Sequence, residues 1–144
     1  MKVMFDTNVF SNLSNGKIDP AKIPSNWKPI ATHIQWDEIQ ATKDVGRREE
    51  IAAVYYHHLT ERVPTSSAVW DASKWDQAQW PSPESKYQAI YQRLEENKRH
   101  RNNAKDALIA DTCLQNSFIL VTNDGNLSDV AREFGIEVTD LQTA

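Results

Sequence analysis

The stretch MKVMFDTNVF, residues 1–10, governs how the rest of the chain is read. Val3, Met4 and Phe5 favour a strand, and the run stops at once on Asp6-Thr7-Asn8, which suits a helix start ahead of Val9, Phe10 and Leu13. Two readings of Asp6 stand side by side. It is a helix cap, or it is a functional carboxylate at the carboxyl end of a parallel strand, where open α/β sheets place their chemistry.

The same strand-then-helix order recurs outward from this start. A strand over about 2–6 and a helix over about 7–14 lead into a loop rich in Asn, Pro and Gly at 15–29. IATHIQWDEIQATKD (30–44) reads as a short strand entering a helix, Gly46 punctuates it, and RREEIAAVYYHHLTER (47–62) reads as a helix with Ile51, Val54, Tyr55 and Leu59 in helical spacing. A strand near 66–70 and a proline-marked polar loop precede helices at about 84–100 and 103–117. FILVT (118–122) is a strand, a helix over about 126–134 ends at Gly135, and IEVTDL (136–141) is the last strand. Alternation with connections of crossover length predicts an α/β fold: a parallel sheet with helices on both faces. No internal repeat or second domain is visible, so residues 1–144 are expected to form one domain.

Composition narrows the function classes. The single cysteine, Cys113, excludes an internal disulfide and favours a reducing, cytoplasmic setting. The amino terminus reaches Asp6 before any useful apolar length, unlike a secretory signal, and no apolar run approaches the roughly 20 residues of a membrane span. Sixteen basic against twenty acidic residues give a net charge of −4, which argues against coating nucleic acid by charge alone but leaves room for a nuclease whose site is itself acidic. Basic residues gather at Lys43, Arg47 and Arg48, read as a solvated helix face, and in NKRHRNNAK (97–105).

The most informative segment is NNAKDALIADTCLQNSFILVTNDGNL, residues 102–127. On a helix, Ile109, Ala110, Cys113 and Ser117 share the face of Asp106, so that acid sits on the apolar side and needs pairing, hydrogen bonds or a metal. Asp111 falls about 140° away and can be an ordinary surface acid. The strand FILVT then runs out into Thr122-Asn123-Asp124-Gly125, good turn chemistry, but also a second strand end meeting a carboxylate. Asp6 and Asp124 would emerge at the same edge of one parallel sheet. In THIQWDEIQAT (32–42), Glu38 stacks with Ile34 and Ala41 and is preferred over Asp37 as the fourth acid. Two unit charges about 4 Å apart repel by roughly 4 kcal/mol at an effective dielectric near 20, so such a cluster calls for protonation or a multivalent cation. All-oxygen donors favour Mg²⁺ or Mn²⁺ over zinc, and one or two such ions can activate water against a phosphodiester.

Through MFDTNVF, WDEIQA, KDALIADTCLQNSFILVTND and AREFGIEV, the sequence resembles the PIN-domain family, most closely the small VapC-like ribonuclease toxins of bacterial toxin-antitoxin pairs. The resemblance covers both ends of the chain and leaves about 60–100 without a counterpart. It implies a three-layer α/β/α PIN-like fold on a short, mainly parallel sheet, and metal-dependent cleavage of RNA. Carried across by position, Asp6, Glu38, Asp106 and Asp124 match the acidic quartet, Asn8 the polar residue beside the first acid, and Thr122 the hydroxyl residue before the last. Asp6, Asp106 and Asp124 are then expected as ligands of Mg²⁺ or Mn²⁺, with Asn8 and Thr122 behind them and Lys98, Arg99, Arg101 and Lys105 on RNA phosphates. An antitoxin partner and a homodimer are further implications of the resemblance.

Other readings remain. Trp70, Trp75 and Trp80, five residues apart, stack on bases, anchor a partner or pin a loop; His57-His58 reads as surface. An aspartate-nucleophile phosphatase normally carries a second Asp where this chain has Asn8. The alternative of another class is a PIN-like RNA- or protein-binding module with weak or no catalysis.

Overall fold

A computed structural model describes residues 1–65, 85–100 and 102–141. In chain order these form β1 (Lys2–Phe5), α1 (Thr7–Ser14), a 3₁₀ turn (Pro20–Lys22), β2 (Lys28–Ala31), α2 (His33–Gln40), α3 (Val45–His58), β3 (Glu61–Arg62), α4 (Tyr87–Asn97), α5 (Asn103–Asn116), β4 (Ile119–Val121), α6 (Gly125–Glu133) and β5 (Val138–Thr139). The five strands make one sheet in the order β3-β2-β1-β4-β5, and every pairing is parallel. In register, Met4 faces Ile30 on one side and Leu120 on the other.

Strand alternation builds the three layers. Met4, Ile30 and Leu120 turn to one face, where they join Ile90 and Leu94 of α4, Leu108 and Ile109 of α5, and Leu127 and Val130 of α6. Val3, Phe5, Ala31 and Val121 turn to the other, packing with Val9, Phe10 and Leu13 of α1 and Ile51 and Tyr55 of α3. Both faces of β1 are covered, so its apolar residues run without interruption, as the opening stretch foretells. The expected α/β/α architecture is present, and its sheet is parallel throughout.

β1 lies at the centre, with β2 and β3 on one side and β4 and β5 on the other. The chain therefore winds outward one way from β1, crosses back, and resumes through β4. The gap beyond the carboxyl ends of β1 and β4 is the switch point of the sheet, where a cleft forms without disturbing the core.

Several elements depart from the sequence reading. Gly46 does not separate two segments: it is the second residue of α3, which starts at Val45 with Asp44 accepting the Arg47 N–H at 3.0 Å. That helix stops at His58, and Glu61–Arg62, read as its tail, pairs with Ile30–Ala31 as the edge strand β3. Two exposed polar residues carry no alternation that would mark a strand. Arg47 is not a solvated cation: its guanidinium donates to Ser14 Oγ at 2.6 Å and to Ser11 O and Oγ at 3.0 and 2.8 Å, tying α3 to α1. Ala41 is exposed at the end of α2, whereas Ile34 is buried. Asp111 is wholly buried and accepts from Ser85 Oγ at 3.0 Å, Lys86 N at 2.9 Å and Gln115 Nε2 at 3.3 Å. It caps the entry to α4, a partnership invisible in its angle on α5. Gly135 does end α6, with φ at +81° and the Ile136 N–H returning to Ala131 O at 3.1 Å. The segment at 66–84, with Trp70, Trp75, Trp80 and the expected strand, lies outside the described residues. Among the described residues no helix is long and apolar enough to cross a membrane.

Candidate active site

Asp6 caps a helix and also stands at the carboxyl end of a parallel strand. Its Oδ1 accepts the Thr7 N–H at 2.8 Å and caps α1, while its position after β1 places it at the switch point, 5% exposed. Oδ2 accepts from Thr122 Oγ1 at 2.8 Å. Asp124 repeats the design after β4: its Oδ1 accepts the Leu127 N–H at 3.1 Å and caps α6. Between them, Thr122 Oγ1 also accepts the Asp124 N–H at 3.0 Å and lies 3.5 Å from Asn8 Nδ2. Asn8 Oδ1 in turn accepts the Asn123 N–H at 3.4 Å. A short hydrogen-bonded lattice thus fixes the ends of β1 and β4 to each other.

Glu38 of α2 and Asp106 of α5 complete the wall. Asp6, Asn8, Glu38, Asp106 and Asp124 all line one cleft of about 480 Å³, and Asp37 is not among its lining residues. Thr7 Oγ1 donates to Glu38 Oε1 at 3.1 Å, joining α1 to α2. Asp106 lies one turn into α5, half-buried, and no described residue donates a hydrogen bond to its carboxylate.

These carboxylates perturb one another. Burial, then the neighbouring charge of Asp6, pushes Glu38 from 4.5 up to about 7, against the opposing effects of Thr7 and Lys105. Burial, followed by Asp6, Glu38 and Asp124, pushes Asp106 from 3.8 up to about 9, with Lys105 opposing. Asp6 also moves up, because burial outweighs its hydrogen bonds from Thr122 and Thr7. Perturbed acids gathered in a cleft mark a functional site more often than a structural one.

The basic residues divide. Lys98 lines the cleft, and Lys105 is close enough to act on Glu38 and Asp106. Arg99, by contrast, pairs with Glu95 at 3.6 Å, is 93% exposed and is not among the residues lining the cleft. Arg101 lies outside the described residues. Sequence reasoning gave no site role to Thr7, His100, Asn102 and Asn126, which also line the cleft, and placed His100 only within a basic patch. Thr7 stands beside Asp6 and the next two belong to NKRHRNNAK, yet nothing in local spacing marks them.

As the side chains stand, no three His, Cys, Asp or Glu groups among the described residues form a ready metal-holding set. The donor chemistry nevertheless fits a hard divalent cation. The acids are all oxygen donors, no cysteine is among the described residues that line the cleft, and among the described residues none donates to the Asp106 carboxylate.

No protein-family model matches the sequence, and no curated protein matches it either. Solved structures do match the fold. VapBC2 from Rickettsia felis, bound to a DNA fragment from its promoter, is similar over 99% of this chain and 100% of its own, with TM-score 0.61 and 16% identity. The PIN domain endonuclease Utp24 is similar over 97% of this chain and 84% of its own, with TM-score 0.61 and 17% identity. VapBC-1 from nontypeable Haemophilus influenzae covers 97% of this chain and 98% of its own at TM-score 0.51 and 16% identity. At such identities the likeness is one of architecture. With its all-parallel sheet and an acid at the end of each strand flanking the switch point, the chain has the PIN-domain fold.

Proposed function

We propose that residues 1–144 act as a single metal-dependent endoribonuclease domain, working in the cytoplasm as the toxin of a type II toxin-antitoxin pair. The observation that carries the nuclease reading is the meeting of Asp6, Glu38, Asp106 and Asp124 in one cleft at the switch point of the sheet. The likeness to VapBC2 favours the toxin assignment, and with it an antitoxin protein as partner. A homodimer is the family's implication alone.

In this reading Asp6, Asp106 and Asp124 hold Mg²⁺ or Mn²⁺, directly or through water. When bound, the ion activates water and offsets charge on the phosphodiester during in-line displacement. Glu38, in the same cleft, would complete the oxygen donors around the ion or orient the attacking water. Asn8 and Thr122 keep the carboxylates of Asp6 and Asp124 in register from behind. Lys98 and Lys105 hold phosphates of the RNA strand on the α5 side of the cleft. The bond between phosphorus and the 3′ oxygen breaks, and no covalent enzyme intermediate forms.

The test is cleavage of end-labelled RNA in Mn²⁺ or Mg²⁺, with an EDTA control and the Asp106→Asn variant beside the wild type. Cutting that needs the ion and disappears in the variant supports the reading. A wild type that binds the ion and leaves a broad panel of RNAs intact turns the assignment to a PIN-fold binding module.

A further inference from the structure

Thr7 does two things with one residue. Its backbone N–H holds Asp6 Oδ1 at 2.8 Å, and its hydroxyl donates to Glu38 Oε1 at 3.1 Å, across 31 residues of sequence. Asp6 needs no further support, since Thr122 fixes its other oxygen at 2.8 Å. Glu38 is different. Among the described residues the Thr7 hydroxyl is its one hydrogen-bond donor, and Oε2 receives none.

A glutamate has three side-chain torsions, and this one faces the repulsion of Asp6 across a partly dry cleft. Without a donor on its protein side, its carboxylate swings toward solvent, where hydration is better. Thr7 opens α1, and its branched side chain has few χ1 wells to choose between, so little ordering is needed for its hydroxyl to meet Glu38. We propose that the Thr7 hydroxyl is a positioning group that anchors Glu38 by Oε1 and thereby presents Oε2 to the cleft and to the cation held there. The proposal rests on the metal-site reading above. It adds a residue that acts through Glu38 and touches neither substrate nor ion.

The experiment compares wild type, Thr7→Val, Thr7→Ser and Glu38→Gln, together with the Thr7→Val, Glu38→Gln double variant. Calorimetric titration with Mn²⁺ alone and RNA-cleavage kinetics are the readouts, with thermal midpoints as the control for folding. Thr7→Val keeps the shape and the backbone N–H. It is expected to weaken Mn²⁺ binding about 10-fold and lower kcat about 10-fold, leaving KM for RNA and the thermal midpoint unchanged. Thr7→Ser restores both losses, and Thr7→Val adds nothing further once Glu38 is Gln. Wild-type Mn²⁺ binding and kcat in Thr7→Val overturn the proposal, as does an equal loss in the Glu38→Gln background or a wild type that binds no Mn²⁺. If wild type binds Mn²⁺ but cuts no RNA, and Thr7→Val still weakens the ion, the positioning role stands while the ribonuclease reading falls.

Discussion

Thr122 Oγ1 donates to Asp6 Oδ2 at 2.8 Å, joining residues 116 positions apart at the ends of the two adjacent strands β1 and β4. The same oxygen accepts the Asp124 N–H, so one buried hydroxyl sets both acids. Thr122→Val keeps the volume and leaves Asp6 and the Asp124 N–H each short of a partner. Stability in urea is expected to fall by about 1–3 kcal/mol. Metal-dependent cleavage should drop about 10- to 100-fold, with Thr122→Ser retaining most of both.

Acids whose proton affinity rises on folding make the folded chain sensitive to alkali. Asp106 moves from 3.8 up to about 9 and Glu38 from 4.5 up to about 7. Between about pH 4 and pH 9 the folded chain therefore keeps protons that the unfolded chain has released, and stability falls as pH rises. In EDTA, the melting temperature of the wild type should decline across this window. Asp106→Asn should flatten the decline and melt higher than wild type at pH 8. Mn²⁺ should raise the wild-type melting temperature more than that of the variant, by about 2.7 kcal/mol in stability at a hundred times its Kd.

Lys98 and Arg99 are neighbours in sequence with different surroundings. Lys98 lines the cleft and Arg99 pairs with Glu95. Lys98→Ala is expected to raise KM for RNA about 3-fold and to reduce the salt dependence of binding by about one charge's worth, while Arg99→Ala leaves both unchanged. Steady-state cleavage at two salt concentrations separates them.

Asp111 tests whether the acidic cleft is distinct from a structural acid on the same helix. Its carboxylate holds Ser85, Lys86 N and Gln115 away from the cleft. Asp111→Ala should cost about 1–3 kcal/mol in urea unfolding by stripping a buried acceptor from three partly buried hydrogen bonds. Cleavage per folded molecule should remain that of wild type. A loss of activity without a loss of stability would place Asp111 in the chemistry instead.

The sequence by itself determined the layers and the placement of three of the four acids. Three fully buried apolar residues ending on Asp6, and Ile119–Val121 ending on Thr122-Asn123-Asp124, are local patterns, and parallel pairing alone then sends both acids to the same edge. Helical angle was enough to set Asp106 toward the interior, because a helix fixes relative direction over a few residues. Only the tertiary structure decided the rest. It gave Glu38 its place through Thr7, buried Asp111 under the start of α4, bound Arg47 to α1, and turned Glu61–Arg62 into a strand beside β2. In each case the deciding partner lies between 25 and 36 residues away, and periodicity reports which way a side chain faces but not what waits there.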